Sequence, residues 1–449
     1  MSGRQLHLNV NILHAGFSPA AWRMDGVDPY AAFTVDHYVQ VAKIAERAKL
    51  DAIFFADQAA ISDDYRPITS LEPTIVLATI AAATERIGLI ATASTSFNEP
   101  YNIARRFATL DHVSGGRIGW NIVTTADPAS ARNFGLTGAI DHGGRYERAA
   151  EFTEIVKALW DSWEDDAFIG DVASGRFVDA AKVHAIEHEG AHFSVHGPHN
   201  VPRSPQGHPV VIQAGGSDDG KELAARHAEA VFSASQSFEE ALAYAKELKA
   251  RAVARGRSGG VPLNLAGLAT IIGSTEAEAE RRQEELWDRI PLDYSLTRLS
   301  GVLGIDRERL RLDEKLPDVI PLPPNGGHTF FKATLALARN NDFTVRQLIR
   351  ALNGSTGHRT VVGTPEQIAD DIERWFVAGA ADGFNLMPDV LPTGLEVFVD
   401  TVVPILRRRG LFRSDYEGRT LRDHLGLIRP ESRFAPQPHK ASGLLGATH

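Results

Sequence analysis

The chain alternates between short apolar segments and longer segments of helical character, and this rhythm constrains the fold more than any other feature. Eight apolar segments read as strands, at residues 6–13, 51–57, 86–94, 115–124, 208–216, 228–235, 261–273 and 382–389. Strands that are apolar on both faces indicate a parallel sheet covered by helices. Eight such strand–helix units predict an α/β fold, a closed (β/α)8 TIM barrel with insertion segments.

Two segments do not follow the rhythm. Residues 163–208 are polar and rich in histidine and proline, and residues 289–360 contain PLPPNGGHTFF within an otherwise helical pattern. Long insertions in a compact fold are typical of lids and binding loops. We predict one barrel domain over residues 1–430, with insertions at about 163–208 and 289–360, and a tail over 431–449. The charged stretch after Gly410 is expected to pack against the barrel or a neighbouring subunit.

Composition excludes several classes of protein. The chain has no cysteine, which excludes disulfides, thiolate nucleophiles and cysteine-ligated clusters. A net charge of −10 argues against binding to nucleic acid or to an anionic membrane. No apolar run is long enough to span a bilayer, and the first residues lack the apolar core of a signal peptide. We therefore expect a cytoplasmic enzyme that uses histidines, carboxylates, hydroxyls or a bound organic cofactor.

The segment HEGAH matches the H-E-x-x-H pattern of zinc hydrolases. That pattern needs an unbroken helix, but Gly190 interrupts this one and the next residues, FSVHGPHNVPRSP, are extended in character. A solvated hairpin without a metal is predicted, and a zinc hydrolase using His188, Glu189 and His192 is the alternative from a different class. The glycine-rich dinucleotide, P-loop and nucleophile-elbow patterns are absent from the sequence.

Functional residues of this fold lie at the carboxyl ends of the strands. The side chains predicted there are polar but mostly uncharged, which suits a large heterocyclic ligand with one anionic end better than a divalent metal. In chain order they are Asn11, His14, Asp57, Thr92, Ser94, Thr95, Asn121, Thr124, Thr125, His142, Arg145, Tyr146, Gly215, Gly216 and Ser217.

The Gly-Gly-Ser turn at the end of the fifth strand has two interpretations. Ser217 can cap a helix whose first turn contains Asp218 and Asp219. Alternatively, Gly215 and Gly216 let the backbone approach a ligand, and the free N–H groups after Ser217 bind a phosphate. The two aspartates would repel an anion at close range, so the local pattern leaves both interpretations open.

Four long segments fall in order along the chain: FFADQAA, ATASTSFNEPYNIARRFATLDHVSGGRIGWNIVTTAD, RYERAAEF and GPHNVPRSPQGHPVVIQAGGSDDG. They resemble the bacterial-luciferase-like flavin monooxygenases. The resemblance is strongest to the branch with nitrilotriacetate, EDTA, dibenzothiophene-sulfone and long-chain alkane monooxygenases, and it extends to about residue 430.

The resemblance implies the monooxygenase component of a two-component system. Such an enzyme receives FMN as FMNH2 from a separate NAD(P)H:flavin reductase and inserts one oxygen atom from O2 into a small organic substrate through a flavin C4a-peroxide. A homo-oligomer, dimer or tetramer, is expected. The substrate is not readable from the sequence.

The resemblance also assigns residues. Asp57, Thr92, Ser94 and Asn121 would surround the flavin ring and ribityl chain, and Asp218 and Asp219 would point away from the ligand. His14 and His328 are candidates for proton handling on the substrate side. The ribityl and phosphate end would be held by His142, Tyr146, Gly215, Gly216 and Ser217.

Two further alternatives remain beside the zinc hydrolase. One is a deazaflavin-dependent oxidoreductase of the same superfamily, which the absorption spectrum of the bound cofactor would reveal. The other is a flavin-binding barrel without catalytic activity.

Overall fold

Eight parallel strands close into a barrel, which confirms the predicted fold class. The computed structural model describes residues 4–61, 71–137, 141–257, 261–323, 328–352 and 358–435. Around the barrel the strands follow the order β1, β2, β3, β4, β9, β10, β11 and β13, and β13 pairs again with β1. The strands of the described residues are β1 (His7–Ile12), β2 (Ala52–Phe55), β3 (Gly88–Ser94), β4 (Ile118–Val123), β5 (Phe168–Asp171), β6 (Arg176–Val178), β7 (His188–Glu189), β8 (Ser194–Val195), β9 (Val210–Gln213), β10 (Ala230–Ser233), β11 (Leu263–Ile272), β12 (Arg359–Gly363) and β13 (Gly383–Pro388).

The sequence prediction missed β12. This strand pairs in parallel with residues 268–272 of β11, whereas β10 pairs with residues 263–266 of the same edge. Beyond the end of β10, the same edge of β11 is therefore paired with β12. Its short apolar run stands at the end of a segment predicted as an insertion, where the strand–helix rhythm is interrupted.

Helices cover the outside of the barrel. They are α1 (Val35–Arg47), α2 (Pro73–Ala83), α3 (Pro100–Ser114), α4 (Pro128–Asn133), α5 (His142–Trp160), α6 (Asp218–His227), α7 (Phe238–Ala254), α8 (Glu276–Asp288), α9 (Leu292–Leu303), α10 (His328–Asn340), α11 (Val345–Leu352), α12 (Pro365–Val377), α13 (Thr393–Val397), α14 (Val403–Arg408) and α15 (Leu421–His424). A π-helical turn (Phe398–Val402) joins α13 to α14, and short 3-10 turns lie at Ala21–Arg23, Ala31–Phe33, Ala180–Lys182 and Arg307–Arg309. Among the helices described, none has the length and apolar character needed to cross a bilayer.

Strand side chains alternate between the helix layer and the barrel interior, as the two-residue period of a strand requires. In β1, Leu8, Val10 and Ile12 belong to the large core beneath the helices. The residues between them, Asn9 and Asn11, consequently face the interior, and both are buried. The interior of this barrel is therefore polar where the sequence pattern suggested continuous apolar strands.

The two segments predicted as insertions have different structures. Between α5 and β9, the chain forms the antiparallel hairpins β5–β6 and β7–β8. Between α8 and β12, helices α9, α10 and α11 share a small apolar core of their own, which includes Leu299, Leu303 and Leu348. The helical character predicted for the second segment is confirmed for its described residues.

The C-terminal segment closes the amino-terminal mouth of the barrel. Leu421 and Leu425 of α15 are buried in a cluster with inward-facing residues of the barrel strands: Ala52, Phe54, Ile90, Val210, Ile212, Ala230 and Leu265. A Cβ on Gly88 would lie 2.5 Å from the Leu421 side chain, and one on Gly119 would lie 3.1 Å from it. Both strands thus carry glycine where Leu421 enters. Of the two sites considered for this segment, the structure shows packing against the barrel.

Ion pairs hold the same segment in place. Arg413 bonds Asp51, which also accepts a hydrogen bond from Leu8 N at 2.7 Å and contacts His7 Nδ1 at 3.0 Å. Burial opposes the charge of Asp51, but Arg413 and His7 outweigh burial and hold the pKa of this carboxyl below its ordinary value. Each charge is therefore buried together with its partners, as buried ions require.

Leu421→Ala should destabilise the barrel by about 2–5 kcal/mol, because a fully buried leucine is removed and the glycines around it cannot fill the space. Thermal unfolding followed by circular dichroism measures the effect. Ile428→Ala is the matched control, since Ile428 lies in the same segment and is 78% exposed. Equal melting temperatures for the two variants would show that α15 does not support the barrel.

Candidate active site

A buried amide–hydroxyl pair lies on the inner wall of the barrel. Thr92 of β3 and Asn121 of β4 are register partners on adjacent strands, and Asn121 Nδ2 donates to Thr92 Oγ1 at 2.9 Å. Within the described part of the chain, Asn121 Oδ1 is buried without a hydrogen-bond partner. Buried polar atoms in native proteins are nearly always paired, so this oxygen is expected to meet a ligand or a water molecule.

Ser94 stands at the carboxyl end of β3. Its Oγ accepts hydrogen bonds from Thr125 Oγ1 at 2.7 Å and from Ser96 N at 3.1 Å. The hydroxyl proton of Ser94 can still be donated to a third group. The two strand ends are thus joined by hydroxyl groups, as expected for neighbouring parallel strands.

Asp57 lies two residues beyond β2, and its side chain is exposed. Partial desolvation, and secondly the Glu72 carboxylate, raise the pKa of Asp57 above its ordinary value. Among the hydrogen bonds of the described residues, none joins Asp57 to another predicted cofactor residue.

A second cluster, which we call the anion-end cluster, consists of His142, Tyr146 and Ser217. Ser217 Oγ donates to Tyr146 Oη at 3.2 Å, and the rings of His142 and Tyr146 lie 5.0 Å apart. His142 begins α5, while Ser217 is the N-cap of α6 and accepts from Gly220 N at 3.1 Å. The structure therefore brings together three residues that are up to 75 positions apart, which is the difference between 217 and 142.

The two glycines before Ser217 have no left-handed backbone. A Cβ on Gly215 would lie 2.5 Å from Gln213 Nε2, so this glycine leaves room for a neighbouring side chain. The Gly215 carbonyl accepts from Tyr244 Oη at 3.1 Å. The turn is consequently held from the α7 side while its other side remains next to the anion-end cluster.

The acidic residues of the first turn of α6 behave differently from each other. Asp218 turns away to Arg251, at 3.0 Å, as expected. Asp219 instead contacts His142 Nε2 at 3.1 Å and so turns toward the anion-end cluster, whereas the resemblance implied that it points away from the ligand. The physical reason is that α5 and α6 pack together, which sets an imidazole within reach of this carboxylate.

The two histidines predicted on the substrate side lie on different elements. His14 follows β1 with a φ of +50°, and its carbonyl accepts from His37 Nε2 at 2.8 Å. This side-chain contact supports a backbone conformation that non-glycine residues rarely adopt. His328 begins α10, and its side chain lies outside the described part of the structure.

The HEGAH segment is a hairpin and not a helix. His188 and Glu189 form β7, which pairs with β8, and His188 Nε2 contacts Glu151 Oε1 at 3.0 Å. Glu151 also accepts from the backbone N–H groups of His192 and Phe193. The two histidines thus do not share a helix face. No cluster of three or more metal-binding side chains occurs among the residues that the structure describes.

Sequence reasoning missed several polar residues inside the barrel. Asn9 of β1 and Asn385 of β13 are register partners, and all four of their amide atoms are buried without a partner among the described residues. His358 Nδ1 is also buried without a partner there, as is Oδ1 of Asn11, a residue that the sequence did predict at a strand end. The alternation of polar and apolar residues in HLNVNI was a signal that the asparagines of β1 face the barrel interior. His358 had no such signal, because it follows no strand that was recognised in the sequence.

The comparisons with known proteins decide the family. The sequence profile of the luciferase-like monooxygenases matches residues 16–382. The chain belongs to this family. Nitrilotriacetate monooxygenase component A from Aminobacter aminovorans is 44% identical over 97% of this chain and 99% of its own length.

Two solved structures have the same fold over nearly their whole length. EDTA monooxygenase from Chelativorans sp. BNC1 is 40% identical, with a TM-score of 0.79 over 95% of this chain and 99% of that one. Riboflavin lyase, solved with modified FMN and its substrate riboflavin, is 33% identical, with a TM-score of 0.83 over 94% of this chain and 96% of that one. This luciferase-like protein is therefore an enzyme of the monooxygenase type, and its relatives include flavin-binding proteins.

Replacing His188 and His192 with alanine together should leave the zinc content unchanged and low, because His188 is engaged with Glu151 in a hairpin. Metal analysis by mass spectrometry on the purified wild type and double variant checks this. Glu151→Gln is the control, and it should lower the melting temperature by loosening the hairpin. The zinc hydrolase alternative would be supported if the wild type held one zinc per chain and the double variant lost both the zinc and the activity.

Proposed function

We propose that this luciferase-like enzyme is the oxygenase component of a two-component system. It takes reduced FMN from a separate NAD(P)H:flavin reductase and inserts one oxygen atom from O2 into a small organic substrate. The observation that carries the proposal is the anion-end cluster at the amino terminus of α6, on the same side of the barrel as the Thr92–Asn121 pair. The names of the relatives, a monooxygenase component A and a protein solved with modified FMN, support it.

The residues present fit an FMN molecule. The amino terminus of a ten-residue helix attracts an anion, and Ser217 and Tyr146 add two hydroxyl groups there. The unpaired Asn121 Oδ1 and the hydroxyl of Ser94 offer an acceptor and a donor for the polar edge of a heterocycle. Asp219 is the unfavourable element, and its carboxylate lies 3.1 Å from His142 Nε2.

Reduced FMN, when bound, supplies the electrons that activate O2 for transfer of one oxygen atom to the substrate. The protein binds the cofactor, orients the substrate and shields the site from water. Ser217, Tyr146 and His142 hold the phosphate end, with Gly215 and Gly216 placing the turn, while Asn121, Thr92, Ser94 and Asp57 contact the ring and ribityl chain. The closed barrel floor excludes water from below.

Proton handling on the substrate side is assigned to His14 and His328. His37 donates to the backbone carbonyl of His14, and this contact fixes the position of the residue. An imidazole exchanges protons near neutral pH, which suits it to protonate or deprotonate a substrate atom.

The need for a partner follows from what the sequence lacks. No dinucleotide-binding pattern precedes a helix in the chain, so reduction of the flavin by NAD(P)H is assigned to a second protein. Because NAD(P)H is an intracellular reductant, we place the enzyme in the cytoplasm. We also propose that it is a homo-oligomer. Among the contacts of the residues that the structure describes, none favours a deazaflavin over FMN.

Ser217→Ala should weaken FMN binding by about 1–2 kcal/mol, which is roughly 5–30-fold in Kd, because a hydrogen bond to a charged group is lost. Fluorescence titration of FMN measures the affinity. Ser237→Ala is a matched control, since Ser237 is likewise a serine N-cap, on α7, with its hydroxyl accepting from Glu240 N.

Both variants should lose similar stability through the cap, but only Ser217→Ala should lose flavin affinity. If both bind FMN as the wild type does, Ser217 is a helix cap only.

Turnover should require a second protein. NADH and FMN with this enzyme alone should give no oxygenated product, and addition of a generic flavin reductase should start product formation from a substrate panel scored by mass shift. Omitting O2 is the control. Reduction of bound FMN by NADH without reductase would contradict the two-component assignment. Turnover only with a reduced deazaflavin would assign the other cofactor.

A further inference from the structure

His358 enters the barrel where one strand replaces another. β10 ends at Ser233, and from residue 268 onward the edge of β11 pairs with β12, which begins at Arg359. His358 precedes this strand directly, so its ring stands between the end of β10 and the middle of β11. The exchange of strands thus gives a loop residue access to the barrel interior.

Aromatic rings surround this imidazole. The Phe232 ring of β10 stacks on it with centroids 5.0 Å apart and an interplanar angle of 15°. Phe330 and Phe17 present edges at 5.7 and 6.2 Å. On the remaining side, a Cβ on Gly267 would lie 2.3 Å from His358 Nδ1, so β11 carries glycine where the ring packs.

The ring nitrogens of His358 have unequal surroundings. Nδ1 is buried against Gly267 and has no partner among the described residues, while the side chain as a whole is partly exposed. Burial lowers the pKa of His358 to about 4, so the ring is neutral near pH 7. An unpaired buried acceptor occurs more readily than an unpaired N–H, so we place the proton on Nε2.

This cluster lies apart from the residues assigned to FMN. The FMN residues lie on or after β2, β3, β4 and β9. By contrast, Phe232 lies on β10, Gly267 on β11 and His358 directly before β12, while Phe17 follows β1 and Phe330 lies in α10. Gly267 is in register with Asn385, which is in register with Asn9, so the unpaired amides continue the same row across the barrel. None of Phe17, Phe232, Gly267, Phe330 and neutral His358 carries a charge.

We propose that Phe17, Phe232, Phe330 and His358 form an aromatic subsite that binds a flat, uncharged ring of the substrate, with His358 Nε2–H donating a hydrogen bond to an oxygen on that ring. The subsite rests on the proposed function for its place in catalysis, but not for its binding chemistry. A polycarboxylate would find no positive charge in it, and burying a carboxylate among phenyl rings is unfavourable. His358 is thereby a specificity-determining residue.

Binding of three probes, measured by calorimetry with and without saturating FMN, tests the subsite. 1-Indanone has a flat ring with an acceptor oxygen, indane has the same shape without the oxygen, and nitrilotriacetate is a flexible polyanion. We expect the wild type to bind 1-indanone at least fivefold more tightly than indane, and nitrilotriacetate most weakly. His358→Phe keeps the ring and removes the N–H, so it should abolish the preference for 1-indanone while changing indane affinity less than twofold.

Two further variants complete the experiment. Gly267→Ala should weaken both ring compounds by displacing the imidazole, and His112→Phe, an exposed histidine on α3, should change nothing. FMN affinity should stay within twofold in every variant, which also reports correct folding. The proposal is overturned if nitrilotriacetate binds best, if neither ring compound binds, or if His358→Phe retains the preference. Absence of FMN binding by the wild type would instead reject the proposed function and leave the ring affinities to judge the subsite.

Discussion

The apolar floor of the barrel determines where this chain can bind a ligand. Leu421 and Leu425 fill the amino-terminal mouth together with the lowest inward side chains, and glycines at positions 88 and 119 admit Leu421. Each fully buried leucine stabilises the fold by about 1.5–3 kcal/mol. Because these apolar side chains occupy the amino-terminal mouth, the carboxyl ends of the strands are the side of the barrel where a ligand can bind.

Above the apolar floor, the barrel interior contains buried polar groups that lower the stability of the fold. Asn9, Asn385 and Asn121 hold buried amide atoms without partners among the described residues, and an unpaired buried polar group costs about 1–3 kcal/mol. A polar layer of this kind is tolerated because the layers below it and the helices around it are well packed. Such local departures from good packing are expected at functional sites.

The sequence predicted the barrel and the position of most polar residues at the carboxyl ends of its strands. Parallel strands place these ends on the same side of the barrel, independently of the helices between them. For this reason Thr92 and Asn121, which lie on neighbouring strands, form a hydrogen bond between hydroxyl and amide. It did not predict Asn9 or Asn385, since their strands were treated as apolar on both faces. It also missed His358, whose position depends on the exchange of β10 for β12 along β11, a long-range pairing that no local pattern encodes.

The Gly-Gly-Ser turn shows why local pattern could not decide between a helix cap and an anion site. Ser217 Oγ accepts from Gly220 N, while its proton goes to Tyr146, so one hydroxyl serves the helix and the neighbouring cluster at once. Capping satisfies one of the first N–H groups of α6, and those of Asp218 and Asp219 remain without an acceptor inside the helix. Asp218 pairs with the guanidinium of Arg251, and Asp219 contacts the imidazole of His142. The cap and the proposed anion site therefore share one local structure, and it is the side chains brought to it by α5 that favour a binding site over an ordinary helix start.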